Sequence, residues 1–392
     1  MRGWRTSPNR LFKRGSQIRV TLLTKVLVFV ALLVVLSGCG GGLRHESWPG
    51  LLVDGDMIFA ANLERIQAFE AETGKLLWSY PPETDKELRP FYSTPVLAED
   101  YGDNGLLLFA GYKDQTVYAL ALEESRGNIP DEPVWTFLQA TGQYVGSGVV
   151  ADGKYIIGNG DGNVYAMNLE DGTSAWTFAT QDRVWATPVV VEDTVYIASL
   201  DHNLYAVNLA DGSEQWRLEM AGAIAGTPAY IDGTLWVGDF SSTLSQVDLS
   251  EQSVVWTFGA ADWVWGAPLL DGTTLYFTDV GGHVYALNTE TREMLWSDPV
   301  VIEDVLHGKP ALSPDGNLLY VAGHEKGIVH ALDAADGQKM NWGVEERNPG
   351  RLPGDLVTDG ERLYVMPILV GTRIKVLDFD TGKVVWSYPS QD

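Results

Sequence analysis

The sequence contains a single cysteine, Cys39, among 392 residues, so no disulfide can form within the chain. Positive charge is also scarce: 27 Lys and Arg residues stand against 52 Asp and Glu residues, which gives a formal net charge of −25. A chain this acidic repels nucleic acid and anionic lipid headgroups. We therefore expect no nucleic-acid partner, and we expect its polar partners to be basic or neutral protein surfaces.

Catalytic motifs and long apolar runs are missing too. The sequence has no GxSxG, P-loop, HExxH or CxxC pattern, the usual marks of hydrolase, nucleotide-binding, metalloprotease and redox chemistry. The N-terminal apolar run Val26–Leu36 has only 11 residues, which is too short for a settled transmembrane helix. We predict a non-enzymatic protein with no catalytic residues, no metal site and no cofactor.

The first 38 residues are laid out as a secretory leader. Seven basic residues and no acidic ones lie within residues 1–25, ahead of the apolar run. The run ends in Leu36-Ser37-Gly38-Cys39, which resembles the lipobox of bacterial lipoproteins. This pattern predicts a lipoprotein signal peptide over residues 1–38, with a lipidated Cys39 and a flexible tether over residues 39–47. The alternative is a plain signal peptide, or an uncleaved anchor with a chance cysteine.

These features predict an extracytoplasmic protein attached to a membrane through its lipid. Gly40 after the cysteine favours the outer membrane. We expect the periplasmic face of the outer membrane where the host has one, and otherwise the outer face of the cytoplasmic membrane. Cleavage after residue 38 would remove seven positive charges and take the net charge from −25 to −32.

Residues 48–392 repeat one unit of four short strands. The unit is clearest over residues 186–218, where β-branched and apolar segments are separated by Asp, Asn and Gly turns. A tryptophan marks the last strand of each unit, at steps of 57, 41, 40, 40, 40, 46 and 44 residues. The predicted fold is all-β, a single eight-bladed β-propeller of four-stranded antiparallel blades. The tryptophans predicted to wedge between neighbouring blades are Trp78, Trp135, Trp176, Trp216, Trp256, Trp296, Trp342 and Trp386.

The repeats resemble the pyrroloquinoline-quinone-type repeat family. The shared pattern is Val-Tyr-Ala-Met-Asn-x-x-Asp-Gly-x-x-x-Trp at Val164–Trp176, with a close copy at Tyr205–Trp216. Within this family, the lipoproteins of outer-membrane β-barrel assembly have the same layout of lipobox, short tether and one propeller. The resemblance implies a non-catalytic, lipid-anchored envelope scaffold that binds other envelope proteins, an outer-membrane barrel-assembly protein among them.

Two other functions fit the same repeats. Quinoprotein dehydrogenases of this family bind pyrroloquinoline quinone (PQQ) and calcium in the propeller funnel, commonly beside a pair of adjacent cysteines and a catalytic Asp. This chain has no second cysteine, and Cys39 precedes the repeats. The resemblance thus leaves a PQQ- or metal-dependent oxidoreductase as an alternative. A lipoprotein sensor or carbohydrate-binding propeller is the other.

A candidate site emerges when the repeats are aligned. A segment of apolar, variable, small, small and proline residues precedes most first strands, as in Val184–Pro188 and Val264–Pro268. In an up-and-down meander this segment and the hairpin between strands two and three share one face. The variable side chains should therefore ring one mouth of the central channel. The predicted partner-binding collar consists of Tyr92, Trp185, Trp263, Trp265 and His307.

Other interpretations of this face stay open. The aromatic residues could simply pack between blades, since aromatic side chains are common in cores. If the collar binds, the ligand could be a peptide or a sugar. His202, His283, His307 and His324 fall on the same face, but they come from blades four, six and seven without the short spacing of metal ligands.

Overall fold

The computed structural model describes residues 50–62, 65–81, 91–101, 105–122, 132–343, 350–368 and 373–389. These residues are all β, and within them no helix is long or apolar enough to cross a membrane. They form eight successive antiparallel sheets, which confirms the predicted eight-bladed propeller. The signal peptide, Cys39 and the tether predicted over residues 1–47 lie outside the described residues.

Each blade is a meander whose strands pair in chain order. The strands of blades one to four are β1 (Gly50–Asp54), β2 (Met57–Asn62), β3 (Arg65–Glu70) and β4 (Leu76–Tyr80); β5 (Val96–Ala98), β6 (Leu106–Ala110), β7 (Val117–Ala121) and β8 (Trp135–Phe137); β9 (Val149–Ala151), β10 (Lys154–Gly158), β11 (Asn163–Asn168) and β12 (Ser174–Ala179); and β13 (Val189–Val191), β14 (Thr194–Ala198), β15 (Asn203–Asn208) and β16 (Glu214–Glu219). The strands of blades five to eight are β17 (Ala229–Ile231), β18 (Thr234–Gly238), β19 (Thr243–Asp248) and β20 (Ser253–Gly259); β21 (Leu269–Asp271), β22 (Thr274–Thr278), β23 (His283–Asn288) and β24 (Val300–Val301); β25 (Ala311–Leu312), β26 (Leu318–Ala322) and β27 (Val329–Asp333); and β28 (Val357–Thr358), β29 (Arg362–Val365), β30 (Ile374–Asp378) and β31 (Val384–Tyr388).

The residues at the tight turns determine how successive strands of a blade connect. The turn between β9 and β10 is Asp152-Gly153, with φ of 46° and 69°, and Asp232-Gly233 does the same in blade five with φ of 44° and 78°. Two consecutive residues with positive φ make the tight hairpin turn whose twist matches that of the strands. Asp and Gly are the residues that adopt this conformation at least cost.

The hydrophobic core is divided among the interfaces between blades. The buried apolar residues form eight clusters, and each cluster joins two successive blades. The cluster between blades eight and one, for example, packs Leu51, Ile58 and Phe69 against Tyr364 and Val376. Because a single meander buries little by itself, stability comes from these repeated interfaces.

The ring closes without an exchanged strand. Blade one is built from β1 to β4 and blade eight from β28 to β31, so neither borrows a strand from the other end of the chain. Side chains join the two blades: the Arg362 guanidinium donates to the Ala71 carbonyl at 3.0 Å, and the Phe69 and Tyr388 rings meet edge to face at 4.7 Å. The closing interface therefore has the same construction as the other seven.

The repeat tryptophans reach from one blade to the next. Trp135, Trp176 and Trp386 donate their indole N–H to the carbonyls of Leu169, Leu209 and Ala71 in the following blade, at 2.8, 2.9 and 2.9 Å. Trp296 and Trp342 make the same bond to the Ala334 and Phe379 carbonyls. The stabilising role predicted for the eight tryptophans stays a prediction, but five of them have a polar contact that fits it.

Candidate functional site

The segments before the first strands lie side by side around the channel. The Thr94 backbone N–H donates to the Ser147 hydroxyl of the next blade at 2.8 Å, and Lys309 N–H donates to the Asp355 carboxylate of the next blade at 2.7 Å. The small residues of the pattern are needed at these contacts. A Cβ added at Gly146 or Gly226 would lie 2.0 Å from the carbonyl oxygen of Trp185 or Trp265, respectively. The segments thus form a tight inner ring.

The first residue of each segment fixes it to the core. These apolar side chains lie in the clusters between blades and are at most 6% exposed. They are Phe91, Tyr144, Val184, Ile224, Val264, Leu306 and Leu352. The next residue, the variable one, is thereby held at the channel mouth beside the residue that anchors its segment.

Two of the predicted collar tryptophans meet across an intervening blade. The Trp185 ring of blade four and the Trp265 ring of blade six are 6.3 Å apart, with 18° between their planes. Blade five places Ala225 at the corresponding position, and this small side chain is 95% buried. The alanine leaves the space in which the two indoles face each other.

The cluster continues into blade seven through histidines. Trp265 contacts His307 with ring centroids 5.5 Å apart, and His307 contacts His324 at 4.5 Å. Burial lowers the pKa of His307 to about 3, with a further lowering from His324, against a smaller opposite effect of the Pro353 backbone. His307 is therefore neutral at neutral pH and acts as an aromatic member of the cluster.

The hairpins between strands two and three contribute further aromatic side chains to this cluster. Phe240 stacks on Trp263 at 5.0 Å and touches Trp265 at 5.3 Å. Phe240 and His324 occupy the same hairpin position, because their backbone N–H groups donate to Ala223 O and Val305 O, two residues before the variable collar position. The predicted collar did not include Phe240 or His324, although the hairpin register shared by the blades places both of them close to the variable positions.

The Tyr92 ring packs against the Tyr112 ring of the same blade at 4.2 Å. Ring contacts bring together the other four predicted collar residues, with Trp263 joined to Trp265 through Phe240. The structure adds Phe240 and His324 to them. We use the name aromatic collar for this set of Trp185, Phe240, Trp263, Trp265, His307 and His324.

Most of the aromatic collar lies outside the structural core. Trp185, Phe240, Trp263 and Trp265 belong to none of the eight interblade clusters, although residues beside them do. Each is half-buried, in contrast to the fully buried Trp236 of the same region. These rings contact one another and keep part of their surface accessible, as an interface anchor requires.

The other histidines of this face are not gathered into a metal centre. His283 Nδ1 lies 2.9 Å from the Asp279 carboxylate, and His202 sits in a turn with φ of 74°. Across the described ranges, no three His, Cys, Asp or Glu side chains converge as a metal site would require. Among the described residues there is thus no cluster of carboxylates of the kind that calcium takes, and we derive no chemistry through calcium or a quinone.

The fold and repeat pattern define a class: an eight-bladed propeller of PQQ-type repeats. A family profile described as "Outer membrane protein assembly factor BamB" matches residues 113–226 and 200–342, more than half of the chain. The chain belongs to this family, as the sequence resemblance predicted. Its fold is also similar to that of BamB from Moraxella catarrhalis, with a TM-score of 0.63 and 19% identity over 83% of this chain and 94% of that one.

Curated relatives fall into two functional groups. BamB of Yersinia pestis is 26% identical over 144 residues, which cover 36% of this chain and 34% of that protein. The dehydrogenase subunit of the quinone alcohol dehydrogenase of Gluconobacter oxydans (strain 621H) is 30% identical over 155 residues, covering 35% of this chain and 19% of that protein. The chain thus spans about a third or less of the curated relatives it matches. A designed protein, Ika8, has the same fold at 14% identity and a TM-score of 0.67, covering 84% of this chain and 95% of that one.

Proposed function

We propose that this protein is a non-catalytic, lipid-anchored scaffold of the cell envelope that docks a partner protein on the aromatic collar. The observation that carries the proposal is a cluster of half-buried aromatic rings at the channel mouth. Its Trp and Phe side chains belong to none of the hydrophobic clusters between blades. Membership of the BamB family supports a role in outer-membrane protein assembly. The partner would be an envelope protein, with a component of barrel assembly as the first candidate.

The collar's composition favours a protein surface as its ligand. Trp is strongly enriched among interface hot spots, where it fills a water-excluding site and contributes most of the binding energy. The collar combines three tryptophans with one phenylalanine and two histidines, of which His307 is neutral, and a stacked tryptophan pair spans blades four to six. Such a surface would bind an apolar or aromatic side chain through its ring faces.

The test is capture of partners from the protein's own detergent-solubilised envelope by the mature lipoprotein, identified by mass spectrometry. We expect the double variant Trp185→Ala/Trp265→Ala to lose the captured barrel-assembly protein while its thermal transition stays within a few degrees. Tyr230→Ala is the control, because Tyr230 is an exposed aromatic side chain on β17 of blade five. Undiminished capture by the double variant would place docking elsewhere. A large loss of stability would mean that the rings serve blade packing.

The anchor is proposed from the sequence, through the lipobox that ends at Cys39. A Cys39→Ser variant should leave the membrane fraction and lose incorporation of labelled fatty acid. Retention in the membrane would instead support an uncleaved N-terminal anchor.

The quinone dehydrogenase relatives supply the competing function. A preparation incubated with PQQ and Ca²⁺, then dialysed, separates the two. The scaffold proposal expects no retained quinone absorbance and no rise in the thermal transition. Stoichiometric retention of quinone would move the oxidoreductase to first place. A gain in stability with oligosaccharides alone would favour the carbohydrate-binding alternative.

A further inference from the structure

A tyrosine of strand three ties the hairpin between strands two and three to its own blade. In blades three, four and six, the tyrosine hydroxyl donates a hydrogen bond to an aspartate of that hairpin. The bonds are Tyr165 to Asp161 at 2.8 Å, Tyr205 to Asp201 at 2.7 Å and Tyr285 to Asp279 at 2.8 Å. The repeat thus places a hydroxyl group at one fixed point of these blades.

Blade six shows what this hydroxyl group connects. The Tyr285 hydroxyl accepts a bond from the Ala261 N–H at 2.9 Å and donates to Asp279 Oδ2 at 2.8 Å. The Asp262 N–H donates to the same carboxylate oxygen at 3.0 Å. Ala261 and Asp262 belong to the segment that connects blade five to blade six. The hydroxyl therefore bridges the incoming segment and the hairpin.

Blade five keeps the aspartate of this arrangement but has Ser245 in place of the tyrosine. Asp239 corresponds to Asp279, because each directly follows the second strand of its blade. In both, Oδ1 accepts a bond from the backbone N–H four residues later, at Thr243 (3.2 Å) and His283 (3.0 Å). The other oxygen, Asp239 Oδ2, therefore faces the position that the tyrosine hydroxyl takes in blade six.

The polar groups around this position are not paired within the protein. Asp239 is fully buried, and its Oδ2 has no hydrogen-bond partner among the described residues. Ala221 and Gly222 correspond to Ala261 and Asp262, and their N–H groups make none of the hydrogen bonds described for this continuous part of the chain. An acceptor and two donors thus surround one point. Buried polar groups of this kind are costly unless they are hydrogen-bonded.

The apolar part of the tyrosine is compensated, but its hydroxyl is not. Phe178 of blade three packs edge to face on Tyr205 of blade four at 5.2 Å, and the matching residues one blade further on are Leu218 and Ser245. Met220, which is 4% exposed, belongs to the same interface between blades four and five. Methionine fills irregular apolar space well, but its thioether has no hydrogen to donate. Asp239 Oδ2 therefore needs a donor from another source.

We propose that the interface between blades four and five binds a water molecule at the position that the tyrosine hydroxyl takes in the other blades. The water donates to Asp239 Oδ2 and accepts from the Ala221 N–H, as the Tyr285 hydroxyl does with its own two partners. The Gly222 N–H or the Ser245 hydroxyl supplies a third bond, which is the usual number for a buried water.

The proposed water has a consequence for the aromatic collar. Phe240 directly follows Asp239, so the hairpin that carries Phe240 is held by an exchangeable ligand rather than by a side chain of the blade. This water site does not depend on the proposed docking function, because its partners all belong to this chain.

The first test is a crystal structure of the full-length protein at a resolution that shows ordered water. We expect a water oxygen within about 3.2 Å of both Asp239 Oδ2 and the Ala221 nitrogen. Oxygen-17 magnetic relaxation dispersion provides a second measurement, since it counts the water molecules that stay in a protein far longer than surface water does. Ser245→Tyr should lower this count by one. Ser174→Tyr is the matched control, because Ser174 is exposed on β12, and it should leave the count unchanged.

A double variant keeps the test decisive if the new ring of Ser245→Tyr is too large for its surroundings. Met220→Ala/Ser245→Tyr makes room for the ring and should place the new hydroxyl beside Asp239, with the water displaced. The proposal is overturned if the wild-type crystal structure shows no water bridging Asp239 and Ala221. It is also overturned if a folded tyrosine variant retains the same number of long-lived waters as the wild type.

Discussion

Gly153 and Gly212 have the same backbone conformation, with φ of 69° and 70°, but different surroundings. A Cβ at Gly153 would meet nothing within 4 Å, whereas a Cβ at Gly212 would lie 2.7 Å from the Trp176 ring of the preceding blade. Left-handed backbone strains any L-residue by roughly 1–2 kcal/mol, so this strain is common to both positions. Only Gly212 adds a clash at a blade interface.

We therefore expect Gly212→Ala to lower the free energy of unfolding by about 1–3 kcal/mol more than Gly153→Ala does, the usual cost of overpacking. Urea denaturation of the two variants measures the difference. Equal losses would show that the turn glycine is conserved within the repeat for its φ alone, and that the tryptophan can move aside.

The free energy of unfolding should depend on pH through His307 of the aromatic collar. Its pKa of about 3 in the folded protein lies below the ordinary histidine value of about 6.5. Between these values the unfolded chain binds a proton that the folded protein does not, so stability is full above about pH 6.5 and falls as the pH drops. From pH 6.5 to pH 5 this one group should cost about 2 kcal/mol.

Denaturation of His307→Gln measured at several pH values tests this linkage. The variant should lose most of the slope between pH 6.5 and pH 5 that the wild type shows. His202→Asn, in an exposed turn, controls for the loss of a histidine elsewhere on the same face. A variant slope equal to that of the wild type would mean that His307 accepts its proton without disturbing the fold.

At the scale of the element, the turn between strands three and four shows how one residue affects packing against the neighbouring blade. Most blades place Gly here against the tryptophan of the preceding blade, as Gly172 does for Trp135. Blades five and six have Gln252 and Arg292 instead, with φ of 53° and 64°. The tryptophans of the blades that precede them are Trp216 in blade four and Trp256 in blade five. Both are half-buried and make no indole hydrogen bond among those described.

Restoring the glycine should therefore stabilise the protein. We expect Gln252→Gly and Arg292→Gly each to raise the free energy of unfolding by about 0.5–1 kcal/mol, because Gly carries no left-handed strain. Chemical denaturation together with the fluorescence of Trp216 and Trp256 is the measurement. A loss of stability would show that the long side chains contribute more at the blade edge than the strain costs.

The element is also the scale at which the sequence was most informative. The register of turns and tryptophans predicted the number and order of the blades, because most blades repeat the same local chemistry. The aromatic contacts were harder to foresee, since Trp185 and Trp265 meet only because Ala225 is small and the ring has a particular curvature. Among the described residues blade seven has three strands, and the sequence did not indicate this because Trp342 keeps the repeat spacing.

At the scale of the whole molecule, the interface between blades eight and one differs from the other seven in that its two blades are not consecutive in the sequence. Trp386 and Trp176 make equivalent bonds to the next blade, both at 2.9 Å. A chain segment ties blade three to blade four, but the contacts between blades eight and one join the two ends of the propeller sequence. When an internal interface opens, the short connecting segment keeps its two blades at a high effective concentration relative to each other. No such segment connects blades eight and one when the closing interface opens.

We therefore expect the ring to open first between blades eight and one. Native-state hydrogen exchange should show β1–β3 and β29–β30 exchanging through a sub-global opening of lower free energy than β10 and β14. Trp386→Ala should lower that opening energy further while leaving β10 and β14 unchanged. Trp176→Ala, the matched variant at an internal interface, should instead reduce global stability without selecting the ends of the chain. Uniform protection across all blades in the wild type would mean that the propeller opens only as one cooperative unit, with the closing interface as strong as those held by a continuous chain.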